Sequence, residues 1–154
     1  MLRSLAAVAI AMLFAPAANA QSPGPVSLPP DTLHWQLDGS ANPTEYLGRK
    51  CLHMDGAEAI AKNLVMRDGI LDADVATRAI RGFFGFDFRI DDAGANFERV
   101  YLRPHESGQA DAMQYTPVLH TGANWQIYNG PGFTGQVDIP KNEWFHLRLV
   151  VTGA

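Results

Sequence analysis

GFFGFDFRIDDAGANFERVYLRPH, residues 82–105, holds two runs of alternating residues on either side of a turn. Phe84, Phe86, Phe88 and Ile90 alternate with Phe83, Gly85, Asp87 and Arg89, the period of two expected of a strand with two chemically different faces. Asp91 to Asn96 is a turn cluster around Gly94. A second alternating run follows from Phe97 to Arg103, with Val100 and Leu102 on one side and Arg99, Tyr101 and Arg103 on the other. The pattern predicts a β-hairpin. If Arg89 lies near Arg99 and Asp87 near Tyr101, one face is core and the other carries Asp87, Arg89, Arg99, Tyr101 and Arg103. Facing arginines repel, so this face needs an anion, a neighbouring carboxylate or a polar ligand.

The same reading extends outward. Leu33 to Leu37, Tyr46 to Met54, Ala57 to Met66 and Ile70 to Ala76 precede the hairpin as predicted strands, punctuated by Asp-Gly turns at 38–39, 55–56 and 68–69. Ala57 to Met66 is the ambiguous one, because AEAIAK also has helical propensity. After a loop over Glu106 to Ala112 come Met113 to Leu119, Asn124 to Tyr128, Phe133 to Ile139 and Trp144 to Val151, with a turn at Asn129-Gly130-Pro131-Gly132. Short strands with turns between them, no repeat and no long helix predict an all-β, antiparallel sandwich.

Residues 1–20 have the form of an export signal: Arg3, an apolar run from Leu5 to Phe14, and Ala18-Asn19-Ala20 before a cleavage point at Ala20/Gln21. The apolar run is short for a membrane span, and no later stretch is long enough. The expectation is an exported protein, periplasmic or extracellular. Residues 21–32, with four prolines, read as an extended lead-in, and 33–154 as the domain. The one cysteine, Cys51, has no internal disulfide partner, so stability must come from packing. The formal charge is −4, or −5 without residues 1–20, whose only charged side chain is Arg3. With no basic run, nucleic acid and anionic membrane surfaces are disfavoured partners.

Several segments carry a family resemblance: YLGRKCL (46–52), DGILDADV (68–75), RGFFGFDFR (81–89), ERVYLRPHESGQADAMQYTPV (98–118), NWQIYNGPGF (124–133) and NEWFHLRLVVTG (142–153). Together they resemble exported bacterial proteins of the concanavalin A-like lectin/glucanase superfamily, close to laminin-G-like domains and to the domain assigned to 3-keto-disaccharide hydrolases. The resemblance implies a jelly-roll of two curved sheets that meets ligands on the concave face or its rim. Such domains have more strands than are read here, and Ala154 directly follows a strand. C-terminal strands are therefore expected to be missing, through truncation in the favoured reading or with another chain completing the sheet.

The polar and aromatic set Asp87, Tyr101, Arg103, His105, Gln114, Tyr115 and Trp125, with Tyr128 beside it, suits a sugar. A pyranose packs its C–H face on a ring, while arginine and amide groups read its hydroxyls. The same residues also fit a structural role. Asp72 and Asp74 share one strand face and are the candidate acid and nucleophile of a glycosidase. The Glu-x-Asp-x-x-Glu pattern of laminarinase-type glucanases is matched poorly by Asp72-Ala-Asp74-Val-Ala-Thr77, so a solvated strand face is the stronger reading. Asp91, Asp92 and Asn96 could offer oxygens to calcium, but calcium takes six to eight and a plain acidic turn is favoured. No cofactor is otherwise expected. The leading expectation is an exported carbohydrate-binding module. Its alternatives are a hydrolase of the same fold acting on a 3-keto-disaccharide or glucan, and an adhesion module that docks a protein.

Overall fold

A computed structural model describes residues 24–78 and 81–153. The expected export signal, its cleavage point and the start of the lead-in lie outside the described residues. Eleven strands make up the described fold: β1 (Trp35–Leu37), β2 (Asn42–Tyr46), β3 (Arg49–His53), β4 (Ala59–Ala61), β5 (Gly69–Ala76), β6 (Phe84–Phe88), β7 (Phe97–Leu102), β8 (Met113–Leu119), β9 (Gly122–Ala123), β10 (Thr134–Gly135) and β11 (Trp144–Val151). Every pairing between them is antiparallel. The fold is all-β.

A five-stranded sheet runs β10-β8-β7-β6, with β9 on the same edge of β8 as β10. The hairpin β6–β7 lies within it, and its even-numbered residues are the inner face as the alternation predicts. The long ribbon β5–β11 is a second layer. Leu71, Ala73, Val75, Phe145, Leu147 and Leu149 face one way along it; Asp72, Asp74, His146 and Arg148 face the other. Phe145 and Leu147 pack on a core of Leu102, Ala112 and Ile139, together with Phe84 and Val137. Fully burying a side chain such as Leu102 or Ile139 stabilises the fold by about 1.5–3 kcal/mol. The β2–β3 hairpin lies against one end of the ribbon, where Tyr46 meets the Trp144 ring at 6.2 Å and Arg49 lies over it at 5.4 Å.

Several predicted strands change form. Tyr46 to Met54 divides because Leu47 and Gly48 both take positive φ, which turns the chain back and pairs β2 with β3. Of Ala57 to Met66 only Ala59–Ala61 is strand, held against β1. Asn124 to Tyr128 is a turn, with the Asn124 carbonyl accepting from Ile127 N and Tyr128 N at 3.1 and 3.3 Å. Phe133 to Ile139 keeps only Thr134–Gly135 as strand. The Glu106 to Ala112 loop begins in a short 3-10 turn, Pro104–Glu106. Trp144 to Val151 is a strand over the bounds read from the sequence.

The central hairpin also pairs two residues tighter than expected. Gly85 opposes Tyr101 and Asp87 opposes Arg99. Arg89, at φ 52°, has left the strand. Asp91 closes the turn: its Oδ1 accepts from Ala95 N at 2.8 Å, its Oδ2 accepts from Asn96 Nδ2, and its backbone N–H donates to the Asn96 carbonyl at 3.0 Å. A slip of two preserves the faces, whereas a slip of one would exchange them.

Candidate functional site

The outer face of the five-stranded sheet carries two cross-strand rows. Register aligns Gly85, Tyr101 and Gln114 in one, and Asp87, Arg99 and Thr116 in the other. In the second row Arg99 donates from Nε and Nη2 to both oxygens of Asp87, each at 2.6 Å. This bidentate pair holds the guanidinium of Arg99 above its usual pKa, with the hydrogen bonds to Asp87 as the leading cause. The facing arginines of the sequence reading are thus corrected to an arginine facing a carboxylate. Arg89 turns away from this face. It donates to Glu98 Oε1, Asp68 Oδ1 and the Arg67 carbonyl, each at 2.8 Å, and straps the hairpin to the turn before β5.

In the first row the amide of Gln114 is 1% exposed and uses every hydrogen-bonding position it has. Its Oε1 accepts from the Tyr101 hydroxyl at 2.7 Å and from Arg103 Nη2. Its Nε2 donates to the carbonyls of Trp125, at 2.8 Å, and Tyr128. Arg103 Nη2 also donates to the Tyr101 hydroxyl at 2.9 Å, and its Nη1 donates to the Asp111 carbonyl and carboxylate. The turn that replaces the expected strand at 124–128 has a cause here: curled, it aims two carbonyls at one amide. The result is a closed network in which the polar groups satisfy one another.

Two aromatic residues beside that network remain open to solvent. Trp125 is 48% exposed, with its backbone carbonyl tied to Gln114. Phe83 is 62% exposed, its ring 5.7 Å from that of Tyr101 and tilted 66° to it. Within β6, Gly85 lets the strand lie close against β7. A Cβ there would lie 2.7 Å from Tyr101 Cα and closer still to the Val100 carbonyl oxygen, so no side chain fits between β6 and β7. His105 also meets Phe83, at 5.5 Å. Of the residues grouped by sequence, Asp87, Tyr101, Arg103, Gln114, Trp125 and His105 are brought to this side of the sheet. Tyr115 is not. It faces inward with Val100, donates to Glu98 Oε2 at 3.2 Å, and lies near the rings of Tyr128 and Phe133, where burial raises its phenol pKa.

Asp72 and Asp74 share one face of β5, as the alternation predicts, but that face is on the outer side of the other layer. Opposite them on β11 are Arg148 and His146. His146 presents Nε2 to Asp72 at 2.8 Å and Nδ1 to Asp74 at 3.0 Å, while Arg148 grips Asp72 and Arg49 holds Asp74. The two aspartates raise the His146 pKa above its ordinary value, and hydrogen bonds from Arg148 and His146 lower that of Asp72. A general acid needs the opposite shift, and a triad histidine needs one nitrogen free for its nucleophile. Both nitrogens of His146 are engaged. The ladder is an exposed set of ion pairs whose histidine the sequence reading missed; the signal was the alternation His146-Leu147-Arg148 on a strand whose partner was unknown.

The Asp91 loop does not fit calcium. Asp91 spends both oxygens on its own turn, Asn96 Oδ1 accepts from His120 N at 3.0 Å, and Asp92 is exposed without joining them. Among the described residues no group of three or more histidine, cysteine or acidic side chains is placed to hold a metal ion. Burial raises the Cys51 thiol pKa, which disfavours the reactive thiolate. No helix among the described residues is long and apolar enough to cross a membrane. No protein-family model matches the chain, and no significant match to a curated protein or a solved structure was found.

Proposed function

We propose that the protein is an exported carbohydrate-binding module of concanavalin A-like, jelly-roll type, and that it meets its glycan on the outer face of the five-stranded sheet. The observation that carries this reading is the pairing of a closed polar network with open aromatic rings. Tyr101, Arg103 and Gln114 fix the ground, and Phe83, 62% exposed, and Trp125, 48% exposed, border it. Exposing a large ring forfeits its burial energy, and anchoring it beside hydrogen-bonding groups suits a ligand with an apolar C–H face and a polar edge. The family resemblance of the sequence segments supports the same reading.

The test uses Trp125 and not Arg103, because the arginine is 9% exposed and its removal would disturb the fold. Trp125→Ala leaves the backbone carbonyl on Gln114 and removes only the ring. Screened by melting shift against a panel of soluble oligosaccharides, the wild type is expected to be stabilised by at least one of them. Trp125→Ala is expected to melt normally and to lose about tenfold in affinity, the scale of one aromatic stacking contact. A panel that stabilises nothing, or a Trp125→Ala protein that binds as the wild type does, refutes the assignment of this face.

A further inference from the structure

We infer that Phe83, His105 and Glu106 form a subsite for a single pyranose ring, with Phe83 as its stacking platform; this rests on the glycan-binding reading and names where on the face one sugar sits. Phe83 is the most exposed phenylalanine, tyrosine or tryptophan among the described residues, yet it meets two other rings, Tyr101 at 5.7 Å and His105 at 5.5 Å and 83°. Tyr101 is itself locked by Gln114 and Arg103, and the Arg103 guanidinium lies 5.1 Å from the centre of its ring. His105 is set by the 3-10 turn that follows Arg103, with the fully buried Pro104 at its start. An exposed ring fixed in this way has a preorganised open face, which lowers the entropy lost on stacking a ligand.

The polar half of the subsite comes from the same turn. His105 Nδ1 is enclosed and has no hydrogen-bond partner among the described residues. With Nδ1 enclosed, Nε2 is the ring nitrogen left to meet a ligand, and it donates when it carries the ring proton. That nitrogen is 3.9 Å from Glu106 Oε1, with His105 20% and Glu106 41% exposed. The separation is too long for a direct hydrogen bond but suits a bridging hydroxyl. One oxygen can lie about 2.8 Å from each group, accepting from Nε2 and donating to the carboxylate. Ring, donor and acceptor are joined through His105, which meets Phe83 on one side and reaches toward Glu106 with Nε2, and a pyranose with one free hydroxyl beside its C–H face is the ligand class they fit. The sugars with the most continuous C–H faces are β-pyranosides with equatorial substituents.

The experiment is a protein-observed NMR titration of the full chain with cellobiose and, separately, with methyl β-galactopyranoside. Expected are shifts centred on Phe83, His105 and Glu106, an affinity about tenfold weaker in Phe83→Ala, near-wild-type affinity in Phe83→Tyr, and a clear loss in Glu106→Ala. All three positions are partly exposed, so melting curves will show that the variants fold. Shifts confined to Trp125 and its neighbours, with affinity unchanged in Phe83→Ala, overturn the subsite and leave the glycan-binding reading standing. Unchanged affinity in Glu106→Ala overturns the bridging hydroxyl. No shift with either sugar overturns the subsite, and, if the wider oligosaccharide panel also fails, the reading beneath it.

Discussion

Replacing Gln114 by leucine keeps the approximate volume of the side chain and deletes both halves of its amide. Four hydrogen bonds disappear together. Arg103 Nη2 keeps the Tyr101 hydroxyl as an acceptor, but that hydroxyl loses the acceptor for its own proton inside a residue only 8% exposed. The carbonyls of Trp125 and Tyr128 lose their donor; both belong to a surface turn and are partly rehydrated. An unsatisfied buried group costs about 1–3 kcal/mol, and a charged group that loses a partner lies at the upper end. One full loss at Tyr101, one partial loss at Arg103 and two softened losses in the turn give about 3–5 kcal/mol. That is a large part of the 5–15 kcal/mol of a typical domain. Urea denaturation followed by tryptophan fluorescence measures it, since Trp125 reports the turn directly. The expected result is a lower midpoint with little change in slope, and a melting temperature lower by roughly 6–20 °C. Gln114→Glu supplies an independent signature, because its carboxylate still accepts from Arg103 and Tyr101 but faces two carbonyl oxygens without a donor. It should recover part of the loss on acidification, when a proton on the carboxyl can donate to one of them. A Gln114→Leu protein within about 1 kcal/mol of wild type would refute the closed network.

Two further perturbations probe the rest of the fold. Gly85→Ala places a methyl group against the Val100 carbonyl and Tyr101 Cα, and should destabilise by about 1–3 kcal/mol or more, read from denaturation; a neutral result would mean that β6 and β7 are further apart than the register requires. His146 should titrate above its ordinary value of 6.5, because two carboxylates on its two nitrogens favour the imidazolium. Its contribution to stability is then full below the unfolded-state pKa and is lost as pH rises through the raised folded value. NMR titration of the ring reads the pKa, and melting across that window should show a fall with pH that His146→Gln removes; an unshifted pKa would refute the clamp.

Alternation made the faces legible and left the partners open. Phe84, Val100 and Leu102 were readable as interior because a period of two needs no knowledge of register, and β11 was bounded correctly for the same reason. The turn at 124–128 was not readable. Trp125 and Tyr128 favour strand by propensity, and what curls the segment is an amide on a neighbouring strand, Gln114, reaching two carbonyls. Propensity loses to a tertiary hydrogen bond there. The candidate site divides in the same way. Alternation puts Tyr101 and Arg103 on one face, where they meet, whereas Tyr115 is near them in sequence only and parity places it on the opposite face. Phe83 belongs to the alternation, but nothing in the sequence shows that its ring stays exposed beside Tyr101. His146 was unreadable until β11 had a partner.

The polar face also answers a question that the apolar pattern leaves open. Pairing Gly85 with Tyr101 and pairing Asp87 with Tyr101 both keep Phe84, Phe86, Phe88, Val100 and Leu102 inside, so burial alone barely separates the two registers. On the outer face they differ sharply. In the observed register Arg99 meets the carboxylate of Asp87 in a two-bond fork, and Gly85 lies where a side chain would collide with β7. In the slipped register Arg99 faces Arg89, Asp87 takes the place of the glycine beside Tyr101, and the carboxylate is crowded against a buried hydroxyl already committed to Gln114. Arg89 would also give up its hold on Asp68 and Glu98. Like charges directly opposite and an unpaired buried charge each oppose the slip. The exposed ladder on β5–β11 has no such leverage, since solvent-exposed ion pairs contribute about 0–1 kcal/mol. The polar face therefore sets the register of β6 against β7, from which Phe83 projects beside Tyr101.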